Sequence, residues 1–309
     1  MEGFHKYVKV LQLGHDDNKD LLSSPEDEIC LQEKVDGGNL RFMFIRGNLI
    51  FGSRNQQITS DEGEDTNVSK NFVRCIEYIR KQIKLDRLPL DSDETCPLIF
   101  YGENMIKHSI GYDWEKVPPF LGFDIYDPID KVFLNYKVAK DMYNELGLPF
   151  VPIIKVCKAK DIKTFTDKDV PTSQFYGGPC EGVVFKNCTK QIYGKYVTDK
   201  FKEVNRDTFG KGKKYAKDDT DRIVATYCTN PRIDKIVFKL IDEGVKLEIK
   251  MMELLPTKTY EDIMEENWKD IVYSKDTINF RELKKKISHR CLVVLRQIMT
   301  NNALNKNET

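Results

Sequence analysis

Leu31-Gln32-Glu33-Lys34-Val35-Asp36-Gly37-Gly38-Asn39-Leu40-Arg41 is the stretch from which the rest of the chain can be read. An apolar, β-rich run from Ile29 to Leu31 leads into it, and a second run from Leu40 to Ile45 leads out. Between them lie a lysine, a carboxylate and two glycines. The pattern predicts two strands joined by a tight loop, with Lys34 at its mouth. Glycine lets backbone approach a ligand closely because no Cβ intervenes. A lysine held there beside a phosphorylated substrate can act as a nucleophile once its amine is uncharged. Taken alone, Lys34 to Gly37 equally describes a solvated surface turn, so the reading depends on partners further along the chain.

A chain of 309 residues with 40% hydrophobic content has room for one large domain and a smaller one. Lys+Arg and Asp+Glu are both 49, which excludes a globally basic surface and leaves local clusters as the means of holding nucleic acid. Met1 to Gly14 has no apolar core of signal-peptide length and no run approaches a membrane span, so an intracellular, cytoplasmic protein without membrane contacts is expected. The 8 cysteines include no C-x-x-C pair and read as buried thiols. His5, His15, His108 and His289 are too dispersed to suggest zinc.

Residues 1 to 28 read as irregular, with His15-Asp16-Asp17 a metal-capable cluster or a solvated turn. Gly47-Asn48 is expected to turn the chain into a strand from Leu49 to Gly52. That strand closes on Ser53-Arg54, where the arginine suits either phosphate or a surface ion pair. Val68 to Leu85 has helical periodicity, with Phe72, Cys75, Ile76, Ile79 and Ile83 on one face. A strand from Leu98 to Tyr101 delivers Gly102-Glu103, a carboxylate fitted to a sugar hydroxyl or to an ordinary strand end. Pro118 to Tyr126 is a strand with three aromatics, any of which could be core or could face a purine. Tyr136 to Leu146 reads as a helix, Val151 to Val156 as a strand and Asp161 to Phe165 as a helical turn. Cys180-Glu181-Gly182-Val183-Val184-Phe185-Lys186 is a strand opened by a carboxylate. In the expected strand Val197 to Val204, alternation puts Lys200 and Lys202 on one face, around an anion or simply in solvent. Gly210 to Lys214 lacks Walker A spacing and reads as a basic linker. Beyond it, Asp219 to Tyr227, Arg232 to Glu243, Tyr260 to Asn267 and Arg281 to Met299 read as helices, and Thr300 to Thr309 as a frayed tail.

Five elements therefore occur in order: Lys34-Val35-Asp36-Gly37, Ser53-Arg54, Gly102-Glu103 with Phe123-Asp124, Glu181-Gly182-Val183-Val184, and Lys200-Phe201-Lys202. The series resembles that of the covalent nucleotidyltransferase superfamily, which contains DNA ligases, RNA ligases and mRNA capping enzymes. Within it the chain looks most like RNA ligases of the ligase 2 type, because Asn39 stands five residues after Lys34 and the chain ends in helices. Asp36 departs from the histidine of phage members. The resemblance implies an α+β fold. A nucleotidyltransferase (ATP-grasp-like ligase) domain of antiparallel sheets with flanking helices, residues 1–217, would precede a small all-α C-terminal domain, residues 218–309.

The resemblance also implies the chemistry. Lys34 would take AMP from ATP as a phosphoramidate, pass it to an RNA 5′-phosphate, and let a 3′-hydroxyl attack to form a 3′-5′ phosphodiester. The expected cofactors are ATP and Mg²⁺ or Mn²⁺, with Glu181 on the metal. Glu103 would bind ribose, Phe123 would stack on adenine, and the backbone of Glu33 would lie beside that base. Lys200 and Lys202 would contact the α-phosphate with Lys186 nearby, and Asn39 and Arg54 would grip phosphate. Asp36 would orient the lysine or the metal. Lys200, Lys202 and the metal would keep the Lys34 amine neutral by like-charge repulsion. The partner would be RNA with 5′-phosphate and 3′-OH ends, with oligomeric state open. The rival expectations are a capping guanylyltransferase, a DNA ligase, and a catalytically silent RNA-binding module.

Overall fold

The computed structural model describes residues 5–60, 62–65, 70–106, 110–162, 164–198 and 218–305. The chain divides into two compact units, Met1–Thr198 and Asp199–Thr309. The boundary expected after residue 217 falls at the edge of residues 199–217, which lie outside the described residues.

The first unit is built on two five-stranded, mainly antiparallel sheets. Its strands are β1 (Leu11–Gln12), β2 (Glu28–Lys34), β3 (Gly38–Ile45), β4 (Asn48–Ser53), β5 (Cys96–Asn104), β6 (Phe120–Asp127), β7 (Val132–Phe133), β8 (Ile153–Lys158), β9 (Gly182–Asn187) and β10 (Ile192–Val197). One sheet runs β1-β10-β9-β2-β8 and the other β4-β3-β5-β6-β7. The Lys34 loop is therefore not a hairpin, as two strands joined by a tight loop would suggest. It carries the chain from one sheet to the other.

Strand alternation explains the layers. In the second sheet, Leu40, Phe42, Phe44, Phe100, Phe120 and Ile125 face a core closed by α1 (Lys70–Gln82) and α2 (Tyr136–Glu145). In the first sheet, Ile29, Leu31, Val183 and Phe185 pack outward with Leu21 and Ala159. Between the sheets lies a third cluster of Tyr7, Ile99, Tyr101, Tyr126, Phe133 and Tyr193. The β3–β4 turn uses Arg46 and Gly47, both at positive φ, with Ile45 paired to Asn48, so it sits one residue earlier than its sequence signal. His15 to Asp17 is a turn in which the Asp17 N–H donates to His15 Nδ1 at 3.1 Å.

The second unit is all-helical among its described residues: α3 (Asp219–Tyr227), α4 (Asn230–Asp242), α5 (Leu255–Val272) and α6 (Phe280–Asn305). Ile233, Val237, Leu255, Leu283, Ile287 and Leu295 are among its core residues. Arg232 is fully buried there and donates to Asp262 at 2.6 Å and to Asn267 at 2.8 Å. The last helix runs to Asn305, past the point where a frayed tail was expected.

Candidate active site

Lys34 ends β2 and pairs in register with Gly182 at the start of β9. A Cβ at Gly182 would lie 2.0 Å from the Tyr196 carbonyl, so only glycine lets β9 approach β10 this closely. Glu181, immediately before it, reaches the nucleophile: Lys34 Nζ donates to Glu181 Oε2 at 2.5 Å. Gly37 serves the same end on the other side of the loop. A Cβ there would meet the Asn104 carbonyl at 2.4 Å and Glu103 Cγ at 2.9 Å. The loop is thus pressed onto β5 beside Glu103.

Asp36 is buried beneath the loop. Its N–H donates to the Tyr112 hydroxyl at 2.9 Å, and its Oδ2 accepts the Ile110 N–H at 3.0 Å. Glu33 is also buried, facing away from Lys34, and accepts from the Ser173 hydroxyl at 2.5 Å. Burial pushes the Glu33 carboxyl up, and its bonds from Ser173, Gln174 and Cys180 oppose the rise. The Glu33 N–H is already donated to the Pro152 carbonyl at 2.9 Å.

Electrostatics around Lys34 run opposite to the expectation of a neutral amine. Burial by itself pulls the amine down, but Glu181, Glu103 and Asp36 outweigh it and hold Lys34 above the ordinary lysine value. In this arrangement Lys34 is an ammonium, and it becomes a nucleophile only when Glu181 is drawn elsewhere. Lys200 and Lys202, the cations expected to oppose that charge, lie outside the described residues.

The opposite sheet contributes the remaining candidates. Asn39 on β3 pairs in register with Glu103 on β5, and Asn39 Oδ1 is buried with no hydrogen-bond partner among the described residues. Arg54 follows β4, half-buried, and carries no ion pair among the described residues. The half-buried Phe123 ring meets the Tyr7 ring edge-on at 4.9 Å. Lys186 is not open to a phosphate here. It and Asp124 are each 1% exposed and paired at 2.7 Å, while Lys186 Nζ also donates to the Phe123 carbonyl at 2.8 Å. Tyr7 completes this bridge by donating its hydroxyl to Asp124 at 2.5 Å.

Sequence reasoning passed over several residues that the fold brings to this place. Strand β10 carries Tyr193 and the buried Lys195, whose charge is felt at Glu181. Tyr112 and Ser173 hold the nucleophile loop from below. No group of three or more His, Cys, Asp or Glu side chains among the described residues forms a ready-made metal cage.

A lysine delivered between two antiparallel sheets, paired to the carboxylate that opens the neighbouring strand, defines a cleft of the nucleotidyltransferase class. The RNA ligase family model matches residues 27–203, more than half of the chain, and the chain belongs to that family. Among solved structures, it is similar to a Naegleria gruberi RNA ligase with pyrophosphate. The TM-score is 0.46 at 16% identity, over 64% of this chain and 58% of that one. A variant of that ligase solved with ATP and Mn gives a TM-score of 0.44 at 17% identity, over 63% and 57% of the two chains. The chain thus spans less than two thirds of the length of these ligases. No curated protein matches it. None of the described helices is long and apolar enough to cross a membrane.

Proposed function

We propose that this chain is an ATP-dependent RNA ligase with Lys34 as its nucleophile. The observation that carries the reading is the Lys34–Glu181 pair, at 2.5 Å, at the one place where the chain passes between its two sheets.

In the first step the Lys34 Nζ lone pair attacks the α-phosphorus of ATP. The α–β phosphoanhydride bond breaks, pyrophosphate leaves, and the amine proton is lost. In the second, a 5′-phosphate oxygen of RNA attacks the same phosphorus and the P–N bond breaks, returning Lys34. In the third, an RNA 3′-oxygen attacks the activated 5′-phosphate, its proton is lost, and AMP departs. Such transfers depend on placement and charge neutralisation rather than on covalent chemistry by many side chains.

Glu181 must exchange partners for the first step to begin. Its oxygens, with those of Asp36 and Glu103 nearby, make a hard donor set suited to Mg²⁺ or Mn²⁺. Because no three carboxylates form a cage, Glu181 would be the metal's protein ligand, the rest coming from phosphate and water. Bound there, the metal would neutralise phosphate charge. Releasing Glu181 from Lys34 removes the main charge that holds the amine protonated. Lys200 and Lys202 would add cations at the α-phosphate, as the motif order implies.

Phe123 offers a ring for the base, Glu103 a carboxylate for the ribose, and Asn39 and Arg54 the grip on phosphate. The titanium-like rigidity of a covalent clamp is not needed here: Lys186, locked to Asp124, fixes the backbone of Phe123 instead. The RNA would carry a 5′-phosphate and a 3′-hydroxyl.

The test is incubation with α-labelled ATP or GTP and a divalent metal, followed by denaturing electrophoresis. An acid-labile AMP label absent from Lys34→Ala, then joining of RNA strands, is the expected result. A GMP label would move the activity to capping. No label from protein first stripped with pyrophosphate would refute catalysis.

A further inference from the structure

Three buried polar atoms in the first unit lack a hydrogen-bond partner among the described residues: Gln32 Nε2, Asn39 Oδ1 and Tyr193 Oη. Asn39 is already a phosphate candidate. Gln32 has no role so far, and it is only 2% exposed. An amide N–H buried without an acceptor costs free energy, and native proteins rarely leave one so.

Gln32 lies two residues before Lys34 on β2, so alternation puts both side chains on the same face. The pairing Gln32–Val184–Lys195 runs across β2, β9 and β10, and the row beside it is Cys30–Lys186–Tyr193. The opposite face of these strands is accounted for, since Ile29, Leu31, Val183 and Phe185 fill the outer core. Gln32 therefore points into the space between the sheets. Across that space, Phe123 is tied to the neighbouring row, its ring centroid 5.7 Å from Lys186 Nζ. The Glu33 N–H, the backbone donor expected beside the base, is spent on Pro152. The free donor at this position is the Gln32 amide.

We infer that Gln32 is a base-reading residue, its Nε2 donating to a ring nitrogen of the adenine stacked on Phe123. The inference rests on the reading that this cleft adenylylates Lys34. Adenine carries unprotonated ring nitrogens on its edges, and a carboxamide donor matches such an acceptor. Burial makes the bond selective, because a base lacking that nitrogen leaves the amide unpaired again.

The experiment measures self-adenylylation by the full chain with ATP and with its 1-deaza, 3-deaza and 7-deaza analogues. The proteins are wild type, Gln32→Leu and Gln32→Glu. In wild type, one analogue should lose about tenfold in efficiency, the value of one such hydrogen bond. Gln32→Leu should raise KM for ATP by a similar factor with little change in maximal rate, and should no longer distinguish that analogue from ATP. Gln32→Glu, which presents only acceptors to the ring nitrogen, should raise KM further. It supplies the same comparison if the leucine variant does not fold. Analogue penalties equal in wild type and variants would overturn the role of Gln32 while leaving the activity intact. A stripped wild-type protein that takes no label would overturn both the activity and this role.

Discussion

Replacing Glu181 by glutamine separates two roles that this side chain combines. In the wild-type structure its carboxylate touches Lys34 Nζ at 2.5 Å, and Lys34 is 25% exposed. A unit charge at about 4 Å is worth about 4 kcal/mol at an effective dielectric constant near 20. That would be about 3 pKa units as an upper bound. Asp36 and Glu103 remain in the variant and water reaches the amine, so the expected fall is about 1–2 units. The assay is competitive acetylation across pH 7 to ~11, read at the Lys34 peptide by mass and normalised to exposed lysines, whose reference pKa is near ~10.4. Lys34 in Glu181→Gln should react about 10–100-fold faster than wild type at pH 8. Its inflexion should move down. The same variant should lose ATP-dependent self-labelling, because a freer amine does not replace a lost metal ligand. An unchanged or upward-shifted acetylation profile would refute the electrostatic argument. Full self-labelling by Glu181→Gln would refute the metal role. The sign follows from the wild-type pair: Lys34 is held high, so its nucleophilic fraction in the free protein should climb about tenfold per pH unit through neutrality.

Gly37→Ala forces a Cβ to within 2.4 Å of the Asn104 carbonyl, so the nucleophile loop must lift; self-labelling should drop about 100-fold with circular dichroism unchanged. Asp124→Ala leaves a Lys186 that is 1% exposed without its carboxylate, and urea denaturation should show a loss of about 3–5 kcal/mol. The Asp124→Leu/Lys186→Met double variant should recover much of that loss, and additive single effects would argue against the pair. Arg54→Ala should retain Lys34 adenylylation but slow transfer of AMP to an RNA 5′-phosphate, measured by adenylylated RNA per labelled protein; equal loss of both steps would contradict this division.

Much of the cleft was legible because its residues sit at the ends of apolar strands. Lys34, Glu103 and Glu181 each close or open a run whose alternation fixes which sheet it belongs to. The helices of the second unit were legible from periodicity, with ends off by a few residues. Strand β10 was not. Gly194 and Lys195 interrupt its pattern, and the reason lies elsewhere in the chain: a Cβ at Gly194 would press on Leu21 and Asn18 at 3.1 and 3.3 Å. Tyr7 and β1 were hidden for a similar reason, since a two-residue parallel strand carries almost no periodic signal. The charge state of Lys34 was misjudged because the sequence does not say which charged neighbour comes closest. Three carboxylates converge on it, and their sum is a property of the fold.

The crossing of the chain between sheets gives the cleft its logic. Lys34 and Glu181 stand on adjacent strands of one sheet, while Glu103 and Phe123 stand on the other. The distance from nucleophile to base is therefore set by the spacing of the sheets and not by any one loop. Lys186 on β9 and Asp124 on β6 join the two sheets through a buried ion pair, and Tyr7 adds a hydroxyl to the same carboxylate. Apolar packing at this point would tolerate sliding, whereas a buried charge pair has one good geometry and a high cost for leaving it. The pair also holds the Phe123 carbonyl, so the same ammonium fixes both the width of the cleft and the backbone under the base. A lysine that never touches ATP would then govern how well ATP is placed, and its loss should register in KM before it registers in the chemistry at Lys34.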